Sequence, residues 1–472
     1  MTRSFSAITV LAVLAGAAFN VSARQPARAD EATVVVISLD GFPAKALADP
    51  ALPVPTLRRL AASGAMAAAM TVVNPSVTWP NHTTLVTGVS PAAHSVLFNG
   101  LLTRPGPKAP VKIEPWRDKR EMVMAPTVYD VAFQAGLTTA QVDWVAIQNP
   151  GTITWAFPER PSVDGAIEKE MIAAGLVTAA EVQNFAGTII TRRDQIWTNA
   201  ALHIIKTHKP RLLLLHYLTL DSVQHNYGPG SLAASSAMAF LDGQVAQILE
   251  GIAAAGLQER TTVIVVSDHG FKVAPRVVRP NVLLRQAGLL QVQGTAVTCD
   301  AYVLSEGGTG MVYVTDPARR GELRPRLKAL FGRVEGIAEV RDRADFPRLG
   351  MPDPDKNTQM ADLMLVAADG YGFGVETEGE PVATLPNATT GRHGYIASDP
   401  DMNAIFIASG HGIKPGARPG QIANLDVAPT IASLLGLTMG NIEGRRLDAI
   451  LAQPSPMAVR SSGRRSVAAR VP

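Results

Sequence analysis

Three strand patterns that each end at or near an aspartate constrain the fold of this 472-residue chain more than any other feature. Each pattern is a run rich in Val, Ile or Leu, and the three runs lead into Asp40, Asp221 and Asp268. Nearly continuous apolar runs of this kind are typical of parallel strands that are covered on both faces. Helical patterns alternate with the runs. We therefore predict an α/β fold with a doubly wound, mostly parallel sheet sandwiched by helices, and a smaller inserted cap region.

The three aspartates are expected to meet at one edge of this sheet. Ligands of open α/β sheets bind outside the carboxyl ends of the strands, and carboxylates gathered there repel one another unless cations lie between them. His225 follows Asp221 by four residues, so one helical turn could direct both side chains to one ion. His269 adjoins Asp268, and His393 stands in a glycine-rich loop. Each of these pieces alone is more often a turn or a local hydrogen bond, but carboxylates combined with imidazoles are a ligand set typical of zinc.

A hydroxyl residue, Thr78, stands at the start of another predicted helix. Pro80 suits the first turn of that helix, and Gly88 is a natural stop. The start of a helix presents free N–H groups and a partial positive charge, which favour phosphate or another oxyanion. Thr78 is therefore either the N-cap of the helix or a nucleophile at the mouth of an anion site. Taken alone, the pattern favours the cap, because capping threonines are far more common.

The other histidines and one further aspartate are predicted to have no role as metal ligands. Two histidines beside lysines, His203 and His208, are expected to be solvated, and the mid-strand His216 is expected to lie in the core. Two near the Thr78 helix, His82 and His94, are expected to pack or form hydrogen bonds. His411, between two glycines, could lie near the site, but we assign it no ligand role. Asp426 is predicted to be an N-cap.

The charge pattern argues against a nucleic-acid partner. The formal net charge of +3 arises from the two ends, because residues 1–29 and the segment from Arg460 onward carry seven arginines and no acidic residue. The remainder is net acidic, so no basic patch for nucleic acid is expected. The single cysteine, Cys299, excludes an intramolecular disulfide. No oligomeric state is predicted.

The amino terminus predicts export. Arg3 precedes an apolar run over residues 8–19, and small residues offer cleavage after Ala23 or Ala29. The run is short for a membrane span, so we predict a cleaved signal peptide and a periplasmic or secreted protein, with an uncleaved anchor as the alternative. No later segment is predicted to cross a membrane. The predicted organisation is a signal peptide at 1–29, a catalytic core at 30–270 and 386–452, an insertion at 271–385 and a disordered tail at 453–472.

Taken together, the motifs resemble those of the alkaline phosphatase superfamily, most closely its nucleotide pyrophosphatase/phosphodiesterase branch. They occur in the family's order and span most of the predicted mature chain. Trp79 stands where the family usually has Phe, and Gln224 where Gly is common. The matching segments are 38–42, 78–82, 87–88 with Pro91, 94–99, 221–225 with 227–229, 267–270 and 391–395.

This resemblance implies a two-zinc phosphodiesterase or nucleotide pyrophosphatase that acts on a small phosphate ester or nucleotide. It implies that Thr78 is the nucleophile, that it contacts the first zinc ion and that it forms a covalent phospho-threonine intermediate. Asn99 and the Thr78 N–H would hold a non-bridging phosphate oxygen. The implied ligands are Asp40, Asp268 and His269 for the first ion, and Asp221, His225 and His393 for the second.

Alternatives within and outside this superfamily stay open. A phosphomonoesterase or phosphonate hydrolase would need an added cation to clamp a dianionic phosphate; none is obvious, although Arg392, Lys272 or an insertion residue could serve. A sulfatase is not expected, because Cys299 lacks the Pro and Arg context of formylglycine conversion. The alternative from another class is an exported metal-binding protein without catalytic activity.

Overall fold

A central seven-stranded sheet organises the protein, whose computed structural model describes residues 31–452. The predicted signal peptide and tail lie outside the described residues. The strands lie in the spatial order β2–β7–β6–β1–β5–β3–β4, and β7 alone runs antiparallel to its neighbours. Their bounds are β1 Thr33–Leu39, β2 Ala65–Met66, β3 Thr139–Val142, β4 Trp155–Phe157, β5 Leu212–Tyr217, β6 Thr261–Val266 and β7 Phe406–Gly410.

Helices cover both faces of this sheet, as the apolar runs predicted. Successive side chains of a strand point to opposite faces. On β1, Val34 therefore joins a buried cluster that contains Leu85 of one helical layer, whereas Val35 joins a cluster that contains Leu241 of the other. The principal helices are α1 Pro55–Ser63, α2 Thr78–Thr87, α3 Val128–Gln134, α4 Ile190–Thr207, α5 Thr219–Tyr227, α6 Leu232–Ala254, α7 Arg320–Phe331 and α8 Val427–Leu434.

Shorter helices lie at Pro91–His94, Lys119–Met122, Ala166–Ala173, Ala179–Gln183 and Pro280–Gln286. Helical patterns in the sequence predict helices over residues 55–64, 78–88, 127–135, 191–207, 233–255, 322–331 and 424–436, and each is present with ends that differ by a few residues. No helix within residues 31–452 combines the length and the apolar character that crossing a bilayer requires.

The predicted insertion contains a four-stranded antiparallel sheet with α7 packed on it. The apolar residues on one face of this sheet, such as Val312 and Leu365, belong to the same buried cluster as one face of the central sheet, so the two parts share a core. Residues on its other face, such as Met311 and Met364, belong to a separate cluster. The boundaries of the insertion, at residues 271 and 385, stay a prediction. The four strands are Ala301–Ser305, Thr309–Val314, Ile337–Arg341 and Leu363–Ala367. The smaller sheets contain Ala69–Thr71, Leu101–Thr103, Lys112–Glu114, Lys272–Val273, Arg276–Val278, Leu290–Gln293, Ala296–Cys299, Tyr371–Phe373, Val382–Thr384, Gly391–Arg392 and Gln421–Ala423.

Two segments differ from what their sequence pattern indicates. Residues 151–178 have only weak periodicity, which leaves a place in a cap or an insertion open, yet residues 155–157 form edge strand β4 of the central sheet. Periodicity could not reveal this, because a three-residue edge strand is too short to carry a pattern. The pattern of residues 66–73 is that of one strand, but the segment is divided between β2 and the separate strand Ala69–Thr71, which pairs with residues 421–423.

Candidate active site

The carboxylates predicted from the strand pattern do lie at one edge of the sheet. Asp40 follows β1 directly, and Asp268 lies two residues beyond the end of β6. Asp221 was predicted to end a strand, but β5 stops at Tyr217 and Asp221 lies in the first turn of α5. The remote side chain of Asp194 explains this early stop, because its carboxylate accepts hydrogen bonds from the N–H groups of residues 218 and 219 at 3.2 and 3.1 Å.

The first group of candidate ligands is fully buried and consists of Asp40, Asp268 and His269. His269 Nε2 lies 3.4 Å from Asp40 Oδ1 and 3.2 Å from Asp268 Oδ2. None of these three atoms has a hydrogen-bond partner among the described residues. Leaving buried polar atoms unpaired is costly, so a donor set that converges in this way fits a cation.

The second group consists of Asp221, His225 and His393. Asp221 Oδ1 lies 3.4 Å from His225 Nε2 and 3.7 Å from His393 Nε2, and this carboxylate oxygen is also without a hydrogen bond. The rings of His393 and His269 stack with centroids 3.9 Å apart, which places the two groups side by side. The arrangement fits two neighbouring cations.

Backbone carbonyls orient all three imidazoles. In each ring Nδ1 faces a carbonyl oxygen at 3.2–3.3 Å, which leaves Nε2 directed at the carboxylates. A hydrogen bond from one ring nitrogen fixes the tautomer and frees the other nitrogen for a metal. The carbonyl partners are those of Gly270 for His269, Gly391 for His225 and Ser76 for His393.

Electrostatics favour the same interpretation. Burial, together with repulsion by Asp268 and Asp221, raises the pKa of the Asp40 carboxyl well above its usual range. Burial lowers the pKa of His269 to about 4 and that of His393 well below its ordinary value. Neutral imidazoles beside crowded carboxylates are the donors that a divalent cation would stabilise.

Thr78 is the first residue of α2 and not its cap. Val77 occupies the N-cap position, and the helix has no side-chain cap. The Thr78 hydroxyl has no hydrogen bond within residues 31–452, so the capping interpretation was wrong. The helix ends as predicted, with Gly88 in the left-handed conformation at φ 68°.

A hydrogen bond fixes the orientation of Asn99. Its Oδ1 accepts the N–H of Trp79 at 3.0 Å. Its Nδ2 makes no hydrogen bond within the described part of the chain, and the residue lines a cavity of about 300 Å³ together with His225, His393 and Glu306. Asn99 can therefore offer a free donor to a ligand beside the second group.

Asn81 holds the loop that precedes α2. Its Oδ1 accepts the N–H of Val73 at 2.9 Å, and its Nδ2 donates to the carbonyl of Val77 at 2.9 Å. Asn424 adds a third contact to the Asn81 side chain at 2.9 Å. Because Asn81 is fully buried, these bonds hold residues 73–77, which lead into Thr78, in one position.

The structure thus brings the six predicted ligands together in two neighbouring groups. The start of α2 is next to them, because His82 Nδ1 lies 2.9 Å from the Thr78 carbonyl oxygen and 3.5 Å from Asp268 Oδ2. The chemical roles of these residues stay predictions. Among the remaining histidines, His94 forms the expected local hydrogen bond, at 3.0 Å to Thr84. His411 follows β7, and because β7 is antiparallel it lies near the start of β6, at the opposite end of the sheet.

Two histidine predictions were wrong. His203 and His208 are largely buried rather than solvated, and both Nε2 atoms contact one Glu170 oxygen at 2.7 and 2.8 Å. His216 is a fully buried core residue, as predicted, but the sequence analysis missed its contact with the site, where its Nε2 lies 3.0 Å from Asp40 Oδ2. The available signal was a histidine inside a run of leucines, because a buried imidazole needs a polar partner.

A sequence model of the family described as type I phosphodiesterase / nucleotide pyrophosphatase matches residues 34–396. The chain belongs to this family. The predicted resemblance, to this branch of the alkaline phosphatase superfamily, is thereby confirmed.

Curated relatives of this phosphodiesterase family match over most of the chain. An uncharacterized pyrophosphatase/phosphodiesterase of Schizosaccharomyces pombe is 26% identical over 86% of this chain and 77% of its own length. Ectonucleotide pyrophosphatase/phosphodiesterase family member 3 of Bos taurus is 25% identical over 85% of this chain. The chain spans only 42% of the length of that bovine relative.

Solved structures of the family share the fold. Murine ectonucleotide pyrophosphatase/phosphodiesterase 5, an inactive threonine-to-alanine variant in complex with AMP, aligns with a TM-score of 0.67 at 18% identity. The alignment covers 89% of this chain and all of that one. The human counterpart gives a TM-score of 0.66, also at 18% identity, over 87% of this chain and 97% of that one. The alkaline phosphatase-like α/β fold is therefore confirmed.

Proposed function

We propose that this protein is an exported two-zinc phosphodiesterase or nucleotide pyrophosphatase that uses Thr78 as a nucleophile. Membership of a phosphodiesterase family supports the broader class, a phosphoric ester hydrolase. The observation that carries the finer proposal is the pair of ligand groups with unpartnered buried atoms, beside a helix start with a free hydroxyl.

Asp40, Asp268 and His269 would hold one zinc ion, with Thr78 against it, and Asp221, His225 and His393 would hold the other. Zinc bound in this way supplies Lewis-acid stabilisation to the attacking and leaving oxygens of an in-line displacement.

Thr78, once its hydroxyl proton has passed to solvent, would attack phosphorus, so that a bond from its Oγ to phosphorus forms while the bond to the leaving oxygen breaks. The leaving oxygen would take up a proton from solvent. Water would then cleave the phospho-threonine from the opposite side. The free N–H at the start of α2 and the Asn99 amide would donate to a non-bridging oxygen as its charge develops. The hydrogen bond from Trp79 N–H to Asn99 Oδ1 supports this role, because it holds the amide in place before substrate binds.

The pocket chemistry supports a diester or pyrophosphate substrate. Lys272, one possible clamp for a dianionic phosphate, is already engaged by Asp369 and Asp399 at 2.7 and 2.8 Å. The acidic side chain of Glu306 lines the cavity beside the candidate ligands. Burial raises the pKa of the Glu306 carboxyl well above its ordinary value, so this side chain brings no positive charge that could clamp a dianionic phosphate. The AMP complex of the murine relative supports a nucleotide among the substrates.

A phosphomonoesterase or phosphonate hydrolase is the second candidate, because Arg392 also borders the cavity. Its Nη1 donates to the carbonyl of Phe373 at 3.3 Å, whereas its Nε is buried without a hydrogen-bond partner among the described residues. Export is proposed from the N-terminal sequence, and relatives described as ectonucleotide and venom enzymes support it.

The test is hydrolysis of bis-p-nitrophenyl phosphate by the purified protein, with and without a chelator, compared with hydrolysis of p-nitrophenyl phosphate. We expect chelator-sensitive activity that is higher on the diester. Higher activity on the monoester would favour the second candidate. No activity from zinc-loaded protein on either compound, or on a panel of nucleotides, would favour a metal-binding protein without catalysis.

A further inference from the structure

A second layer of polar residues lies behind the first ligand group. His216 is on β5, adjacent to β1, and its side chain is fully buried. Its Nε2 lies 3.0 Å from Asp40 Oδ2, and its Nδ1 is hydrogen-bonded to the backbone carbonyl of Asp143 at 3.1 Å and lies 3.2 Å from Asp143 Oδ2. The imidazole therefore bridges the carboxylate of a candidate metal ligand and a residue that belongs to neither ligand group, which it contacts at both the backbone carbonyl and the carboxylate.

Because of this bridge, the two carboxylate oxygens of Asp40 make different contacts. Oδ2 is bonded by His216, whereas Oδ1 has no hydrogen bond and lies 3.4 Å from His269 Nε2. A hydrogen bond to one carboxylate oxygen restricts rotation of the group. The other oxygen is then presented to the position where the candidate ligands converge.

The backbone around Asp143 fixes this residue in position for the contact with His216. It follows β3 and is completely buried, and its φ of 58° is uncommon for a residue with a side chain. Its N–H donates to the carbonyl of Phe157 on β4 at 2.9 Å, which anchors the turn. The carboxylate makes no hydrogen bond that would orient it elsewhere, and His216 Nδ1 is its ion-pair partner among the described residues.

Another histidine–carboxylate group lies outside the site, and it differs from the His216 cluster in its hydrogen bonding. There, His203 and His208 contact Glu170 at 2.7 and 2.8 Å, and both contacts are satisfied hydrogen bonds. No unpartnered buried atom accompanies them within residues 31–452. That group joins the short helix Ala166–Ala173 to the end of α4. The His216 bridge, in contrast, ends on an oxygen of a carboxylate whose other oxygen is an unpaired ligand atom.

We propose that His216 and Asp143 are positioning residues that orient Asp40 for the metal ion of the first ligand group. The inference rests on the proposed function, because it assumes that an ion binds there. Outer hydrogen-bond partners of metal ligands raise metal affinity or activity by about 10- to 100-fold. Their loss should therefore weaken one of the two ions by that factor and leave the other in place.

The test measures zinc affinity by chelator competition on the full chain, for the wild type and for His216→Phe. Phe fills much of the space of the imidazole but cannot bond to Asp40. We expect two zinc ions in both proteins at saturation, with one bound about 10- to 100-fold more weakly in the variant. Cobalt(II)-loaded protein should show a changed visible spectrum for one ion.

Two further variants complete the design. His203→Phe removes a histidine–carboxylate contact at a distance from the ligands and should leave both affinities unchanged. Asp143→Asn keeps the shape of the second partner and should weaken the same ion as His216→Phe, by a smaller factor. It also serves as the test should His216→Phe fail to fold, and folding is followed by the melting temperature of zinc-free protein.

Unchanged affinity for both ions in folded His216→Phe and Asp143→Asn would overturn the inference and leave the proposed function intact. Equal weakening of both ions, accompanied by a lower melting temperature of the zinc-free protein, would also overturn it, since that result indicates a general structural role. Failure of the wild type to bind zinc would instead overturn the proposed function.

Discussion

Asn99 provides a demanding test of the proposed site, because its orientation is fixed by a hydrogen bond rather than by a ligand. Trp79 N–H occupies Oδ1 at 3.0 Å, so Nδ2 is the atom available to a phosphate oxygen. Asn99→Ala removes this donor. Asn99→Asp keeps the acceptor for Trp79 N–H and nearly the same volume, but places an ionised carboxylate where the donor was.

Loss of one preorganised donor of this type costs about 10²- to 10³-fold in kcat, which corresponds to about 2.7–4 kcal/mol of transition-state stabilisation. We expect Asn99→Ala to fall in that range. Asn99→Asp should lose at least as much, because its charge adds repulsion to the missing donor. Neither variant should lose zinc, since Asn99 belongs to neither ligand group.

The assay is steady-state hydrolysis of bis-p-nitrophenyl phosphate, with zinc content measured on the same samples. Gln359→Glu is the control for Asn99→Asp, because Gln359 Oε1 also accepts a backbone N–H, from Leu102 at 2.8 Å, and the residue does not line the cavity. Its Nε2 donates to the Leu102 carbonyl at 3.0 Å, so this control also shows what loss of an amide donor costs away from the site. A loss below about threefold in Asn99→Ala, with zinc content unchanged, would refute the role of Asn99 as a donor in the transition state.

Three other predictions follow from the site. Thr78→Ala should abolish turnover while zinc content stays near that of the wild type, and appreciable remaining activity would contradict the covalent route. His393→Ala should lower zinc occupancy and activity together, and unchanged occupancy would remove His393 from the ligands. Burial raises the pKa of Asp194 to about 6, so its contribution to stability is full below its ordinary pKa near 3.8 and is lost as pH rises through 6. In zinc-free protein the unfolding free energy of the wild type, relative to Asp194→Asn, should therefore fall by up to about 3 kcal/mol between pH 4 and 7; a flat or rising difference would exclude this linkage.

Local pattern was sufficient for most of the fold. Apolar runs predicted β1, β5 and β6, and Gly88 predicted the end of α2, because these features depend on residues close together in the chain. Segments without such periodicity were misjudged. The strand at 155–157 and the turn from β5 into α5 are determined by contacts with remote partners, β3 in one case and Asp194 in the other.

The sequence by itself determined which residues could form the site, since carboxylates placed after parallel strands must emerge at the same edge of a sheet. Only the tertiary structure decided how those side chains are held. The bridge through His216 joins Asp40 to Asp143, which are far apart in the chain, and it exists because β5 lies beside β1 with Ser38 paired to His216. Strand register sets such contacts, and register results from packing of the whole sheet rather than from any one segment.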